Sequence, residues 1–339
     1  MNNRHSPNFY FNRYIQEGIT FHQWTPGTIK SIKSTQKHLA CAKTFTHMDD
    51  FDENGLNSFI YYLRAKCMLM ETTVRKHFLN LKSFLSWALR NSYCNNTCIK
   101  TFRPRFKTLK NPVIFLTRDE IMKLYSYRIP KNGTVLTLPD IMGARSEFTV
   151  SSAGGLAKAR DMFCFCAFTS LRYSDMIQLK HSDIQDSCIQ LITQKTNDSL
   201  CIDLNPYSNE IIQRYSHLQK DDNRLFPAIS NQKMNLYLKT LGRMCGFNSP
   251  VTRTFFHNGK KKTVTSPKWA LLSTHAARKT FICNMLAAGI PPQTIMKWTG
   301  HSDYKSMKPY IDISSSDKAE AMKLFSKRLS CYAPPPEEE

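Results

Sequence analysis

Two arginines, two histidines and a tyrosine, strung out along the later part of the chain, set the strongest constraint on how it can fold. Arg172 comes first, then His275-Ala276-Ala277-Arg278, then Gly300-His301, then Tyr310. Each residue type suits one task at a phosphodiester. A guanidinium presents a planar fork of N–H donors to the non-bridging oxygens, an imidazole donates or moves a proton, and a tyrosine hydroxyl can attack phosphorus. Taken singly they mean little, since a lone tyrosine on an amphipathic segment is ordinarily core and a histidine after glycine ordinarily caps a helix. They act together only if the fold brings the end of an apolar segment, residues 159–169, beside the later helices.

The charge balance supplies a partner. With 47 Lys plus Arg against 26 Asp plus Glu, the formal net charge is +21, a field that attracts polyanions. The excess is local as well as global. From Thr72 to Pro112 no acidic residue occurs, while Arg75, Lys76, Lys82, Arg90, Lys100, Arg103, Arg105, Lys107 and Lys110 all fall there. Arg75, Lys76, Lys82, Arg90, Arg103, Arg105 and Lys107, with Lys260 and Lys261 at a later turn, are the candidate DNA contacts. No apolar run approaches the ~18 residues of a membrane span, and the polar start from Met1 to Tyr10 argues against a secretory leader. Eleven cysteines without a C-x-x-C pair point to reduced thiols in a cytoplasmic protein, not to disulfides or zinc. No metal and no cofactor are expected.

Residues 1–24 carry few periodic signals and read as an N-terminal arm. Residues 25–103 read as a helical domain. Thr25-Pro26 is an N-cap and first turn, a second helix begins near Asp52, and a third, from Thr72, puts Val74, Phe78, Leu81, Leu85 and Ala88 on one face. Its other face carries Arg75, Lys82 and Arg90. Residues 104–115 read as a linker, 116–330 as a second domain and 331–339 as a flexible tail. In the second domain Thr117 and Glu120 form a capping box, and residues 129–157 read as a loop rich in Gly, Pro and Ser. A buried helix is expected over 159–169, then a hairpin with Lys195 at its turn, between runs 188–194 and 200–204. A further hairpin is expected around Asn258-Gly259, and helices from Thr274 onward.

The boxes Phe168-Thr169-Ser170-Leu171-Arg172-Tyr173-Ser174-Asp175, Thr274-His275-Ala276-Ala277-Arg278-Lys279-Thr280-Phe281 and Trp298-Thr299-Gly300-His301, followed by Tyr310, resemble the tyrosine recombinases, the phage integrase family. Among these they look most similar to integrases of bacterial mobile elements. The resemblance implies a two-domain, mainly α protein, with a helical core-binding (SAM-like) domain and a mixed α+β catalytic domain holding a small antiparallel sheet. It implies a site-specific recombinase that cuts and rejoins DNA through a 3′-phosphotyrosyl intermediate. Arg172 and Arg278 would clamp the scissile phosphate, His301 would donate to it, and His275 would handle a proton beside it. Lys195 would protonate the leaving 5′ oxygen, Tyr310 would attack, and Asp175 would orient the site.

The resemblance further implies double-stranded DNA as partner, a homotetramer on paired sites with exchange of a C-terminal helix around Ala319 to Leu329, accessory DNA-bending or excision proteins, and a place at the bacterial nucleoid. Two other readings of the same residues are a type IB topoisomerase, which relaxes supercoils as a monomer, and a noncatalytic DNA-binding regulator. The regulator would not need the full set of catalytic residue types.

Overall fold

The computed structural model describes residues 5–42, 45–193, 199–216, 223–314 and residue 322. Two units make up the chain. The first ends at Asn111 and also takes in Thr252–Val264; the second begins at Pro112 and holds the remainder.

The first unit is helical: α1 (Pro7–Thr20), α2 (Pro26–Ala42), α3 (Glu53–Tyr61), α4 (Glu71–Arg90) and the short α5 (Cys98–Thr101). The expected arm over 1–24 is instead mostly α1, a packed helix. Tyr10, Phe11, Tyr14, Ile15 and Gly18 fall on one face, and all are buried. Phe11 stacks on Phe84 of α4 with ring centroids 4.1 Å apart, and Tyr14 meets Trp87 at 5.3 Å. Gly18 lets Trp24 cover the end of α1, because a Cβ there would lie 2.2 Å from the indole. α3 is capped by Asp52, whose carboxylate accepts from Gly55 N at 2.7 Å. α4 buries Val74, Phe78, Leu81, Leu85 and Ala88, as its period predicts, and adds His77, Phe84 and Trp87. Beyond α5 the chain stays attached to this unit, with Phe106 against Phe78 and the Arg105 carbonyl accepting from Arg64 at 3.2 Å.

The second unit opens with α6 (Arg118–Ser126), where the Thr117–Glu120 capping box forms as expected. Residues 129–157, expected as a loop, contain a hairpin of β1 (Val135–Pro139) and β2 (Arg145–Thr149) and the first turn of the next helix. Turn chemistry dominates the sequence there and masks two short strands. Asp140 accepts from Met142 N and Ala144 N, Gly143 takes a positive φ of 88°, and Arg243 clamps the Leu138 carbonyl at 2.9 Å.

α7 (Ala153–Thr169) is buried almost all round, so Cys164 and Cys166 are core residues. Short α8 (Tyr173–Met176) follows, then an antiparallel sheet of β3 (Ile184–Gln185), β4 (Cys188–Ile192) and β5 (Ser199–Asp203), with Ile189 opposite Ile202 and Leu191 opposite Leu200. Lys195 lies between β4 and β5 in the chain, outside the described residues. α9 (Pro206–Tyr215) and α10 (Asn231–Met244) come next, then the hairpin β6 (Pro250–His257) and β7 (Lys260–Pro267), whose Thr252–Val264 belongs to the first unit, then α11 (Thr274–Ala287), α12 (Pro292–Thr299) and α13 (Lys308–Ser314). α7 packs against α6, α9, α10 and α11, which makes it the central post of this unit. The fold is the expected pairing of a helical domain with a mixed one, with three small antiparallel sheets among the described residues.

Candidate active site

α11 is set by α10. Asn235 accepts from Thr274 N at 2.8 Å and Asn231 accepts from the Thr274 hydroxyl at 3.0 Å, which satisfies the free end of α11 with side chains. His275, in the first turn, is exposed; Arg278, three residues on, points inward and is 3% exposed. Its guanidinium is held by backbone: Nη1 donates to Ser170 O at 3.1 Å, and Nη2 donates to Thr299 O and to His301 Nε2 at 3.3 Å. Burial pushes Arg278 down to about 10, the charge of Arg172 pushes the same way, and Tyr310 and Asp175 pull back. It therefore stays cationic at neutral pH.

Arg172 arrives from the other side. α7 ends at Ser170, which takes a left-handed φ of 65° and donates its hydroxyl to Trp298 O at 2.9 Å. That bend turns the chain so that Arg172 caps the start of α8 and Asp175 falls inside it. Arg172 Nη1 is 3.8 Å from Asp175 Oδ2, close enough to be oriented by charge. Nη1 is buried and makes no hydrogen bond among the described residues. A buried donor of this kind costs free energy until an acceptor arrives.

His301 is positioned by the end of α12. Gly300 caps that helix at φ 59°, and a Cβ there would lie 3.1 Å from Leu200 of β5. Thr299 donates its hydroxyl to Ile295 O at 2.8 Å, so the same oxygen accepts from His301 Nδ1 at 2.9 Å. Nδ1 carries the proton and Nε2 faces Arg278 as an acceptor. Burial, then the charges of Arg278, Arg172 and His275, push His301 down to about 4.

Tyr310 sits on α13, half-buried against Phe281, Ile282, Ile295 and Met307. Burial and Cys283 hold its phenol above the usual value, and the Arg278 charge draws it down. The structure thus gathers Arg172, Asp175, Arg278, His301 and Tyr310 into one electrostatic site, with His275 near enough to act on His301. Sequence reasoning gave no role to Ser170 and Thr299, whose carbonyls accept from Arg278, or to Trp298, whose carbonyl accepts from the Ser170 hydroxyl. Their signal was their place inside the motif boxes, beside each functional residue.

The basic candidates for DNA contact all belong to the first unit, Lys260 and Lys261 included, since they lie in its Thr252–Val264 segment. Arg75, Lys76, Arg90, Arg103, Arg105, Lys107, Lys260 and Lys261 are exposed, and Lys82 is half-buried. Asn258 and Gly259 both take positive φ, the turn that sets the lysines at the hairpin tip. Of the C-terminal segment Ala319 to Leu329, only Met322 falls within the described residues, and it is exposed.

Residues 149–316 match the phage integrase family, and residues 9–106 match the phage integrase SAM-like domain. The chain is a tyrosine recombinase of the phage integrase family. Its function is site-specific recombination of DNA. No curated protein matches its sequence. Among solved structures this recombinase is similar to a lambda integrase dimer bound to a COC′ core site, with a TM-score of 0.64 and 12% identity over 91% of this chain and 77% of that one. It is similar to the Tn1549 transposon integrase in complex with circular intermediate DNA, with a TM-score of 0.62 and 16% identity over 90% and 95% of the two chains. A lambda integrase tetramer bound to a Holliday junction aligns with a TM-score of 0.63 and 13% identity, over 89% of this chain and 79% of that one. At such identities the likeness is one of fold. Among the described residues of the recombinase, no helix is long and apolar enough to cross a membrane.

Proposed function

We propose that this recombinase breaks and rejoins DNA by two transesterifications through Tyr310. The oxygen of Tyr310 bonds to the scissile phosphorus as the bond from phosphorus to the 5′ oxygen breaks, leaving a 3′-phosphotyrosyl link and a free 5′ hydroxyl. The phenolic proton passes to an imidazole, His275 or His301, and Lys195 supplies a proton to the departing 5′ oxygen. A 5′ hydroxyl from the partner strand then attacks the phosphotyrosine and reverses the exchange. One phosphodiester replaces another, so the bond energy is kept, and the sequence offers no G-x-x-x-x-G-K-[ST] phosphate loop for a nucleotide.

Arg278 carries this reading. Its guanidinium is buried and fixed by two carbonyls, beside a buried Arg172 Nη1 that makes no hydrogen bond among the described residues and faces Asp175 at 3.8 Å. Charge grows on the non-bridging oxygens in the pentacoordinate transition state, and fixed cationic donors stabilise that state more than the ground state. Losing one such donor costs about 3–4 kcal/mol in barrier. Asp175 orients Arg172, and the exposed basic residues of the first unit hold the DNA backbone.

The working assembly is a homotetramer on two DNA sites, which the lambda integrase tetramer bound to a Holliday junction supports, and the segment Ala319 to Leu329 is the one exchanged between neighbours in this reading. A supercoiled plasmid carrying two of the recombination sites tests the activity against its rival. Site-dependent recombinant circles are expected, and relaxation of a plasmid lacking the sites would instead indicate topoisomerase action.

A further inference from the structure

α7 ends on a buried serine in a backbone conformation that serine seldom takes. Ser170 has φ 65° and ψ 0°, and it is 0% exposed. Every other non-glycine residue with a positive φ among the described residues is exposed. Glycine would adopt this conformation without the clash that a Cβ brings. What serine adds is a hydroxyl, and it donates to Trp298 O at 2.9 Å. Trp298 is the penultimate residue of α12, so its carbonyl is one of the four that a helix leaves without an internal partner.

That bond closes a ring around Arg278. Nη1 of the guanidinium donates to Ser170 O at 3.1 Å and Nη2 donates to Thr299 O, while the Ser170 hydroxyl ties together the two segments that supply those carbonyls. Arg172 stands two residues beyond Ser170, at the N-cap of α8. We propose that Ser170 is a positioning residue: its hydroxyl holds the end of α7 to the end of α12, which fixes the Arg278 guanidinium from two sides and sets Arg172 beside it. This rests on the reading of Arg172 and Arg278 as the phosphate clamp. A guanidinium fixed before DNA arrives needs no reorganisation as charge grows on the non-bridging oxygens. Backbone strain of this kind persists where surrounding contacts over-determine it, as the ring does here.

The test follows single-turnover cleavage of a nicked duplex of the recombination site by the full chain, beside thermal unfolding. Ser170→Gly and Ser170→Ala both lose the hydroxyl, but only glycine suits the left-handed backbone, so the alanine variant should have the lower Tm. Both should nonetheless cleave at the same rate, roughly five- to tenfold below wild type, as for the loss of one hydrogen bond, with DNA affinity unchanged. Rates that follow Tm, or a Ser170→Gly rate equal to wild type, overturn the proposal. A second duplex carries a methylphosphonate at the scissile position, where a neutral methyl group replaces one charged non-bridging oxygen and leaves less charge for the arginines to offset. Ser170→Gly should slow this duplex by a smaller factor than the natural one. Equal slowing on the two overturns the proposal, and this arm stands even if Ser170→Ala does not fold. Arg278→Ala is the control: if it cleaves the natural duplex at the wild-type rate, the clamp reading falls and the proposal with it. If Arg278→Ala is slow while Ser170→Gly is not, the positioning role alone is wrong.

Discussion

Thr299 Oγ1 accepts from His301 Nδ1 at 2.9 Å while donating to Ile295 O at 2.8 Å, and this fixes which nitrogen of His301 is bare. The hydroxyl has one proton and spends it on the helix carbonyl. His301 Nε2 is therefore the acceptor that meets Arg278, and the imidazole is neutral with its free lone pair on that nitrogen. Thr299→Val keeps the shape and removes the acceptor. Single-turnover cleavage should fall by roughly five- to tenfold, as for loss of one buried hydrogen bond. Nitrogen-15 NMR of the imidazole should show a mixed tautomer, and an unchanged tautomer at an unchanged rate would contradict this account.

Arg172 and Arg278 should separate rate from stability. Arg278 ties Ser170 O, Thr299 O and His301 together, so Arg278→Ala leaves buried carbonyls without donors and should lower Tm as well as rate. Arg172 Nη1 makes no hydrogen bond among the described residues and only a 3.8 Å ion pair with Asp175, so Arg172→Ala should lower Tm less than Arg278→Ala does while cleavage falls about 100-fold or more. Thermal unfolding beside single-turnover cleavage checks both.

Acid should loosen the N-terminal unit before it neutralises most carboxylates. His77 is 5% exposed, with Nδ1 2.8 Å from the Thr35 hydroxyl, and burial, then His38 and Lys76, push it down to about 4 from 6.5. A depressed histidine favours the neutral folded form. Its stabilisation is present above pH 6.5 and is lost as the pH falls from 6.5 towards 4, by about 2–3 kcal/mol. Denaturant melts of the isolated change, wild type against His77→Gln, should show this slope only in the wild type.

DNA binding should be strongly salt-dependent. The eight exposed candidates Arg75, Lys76, Arg90, Arg103, Arg105, Lys107, Lys260 and Lys261 would, if each meets a phosphate, give a log–log slope of about −7. Lys260→Ala with Lys261→Ala should make the slope shallower by about 2. Filter binding across salt concentrations measures it.

Local signals were readable from the chain, and long-range ones were not. Thr117 and Glu120 announce their capping box because both partners lie within one turn. Arg172, Arg278, His301 and Tyr310 were legible through the order of their motif boxes. The carbonyls that hold Arg278 were not, because they belong to Ser170 and Thr299, and which carbonyl a guanidinium finds depends on tertiary packing. α1 was missed because its buried face is built of tyrosine and phenylalanine among polar residues, a pattern that a search for aliphatic periodicity passes over. The β1–β2 hairpin was hidden by Asp140 and Gly143, whose turn chemistry dominates two five-residue strands.

Covalent attachment at Tyr310 tests the central claim most directly. A nicked duplex that loses the 5′ hydroxyl fragment on cleavage should trap the wild-type recombinase as an adduct on a denaturing gel, and peptide mapping should place the DNA on Tyr310. Tyr310→Phe should bind the same duplex with unchanged affinity and give no adduct. An adduct formed by Tyr310→Phe, or one mapped to another residue, would contradict the account.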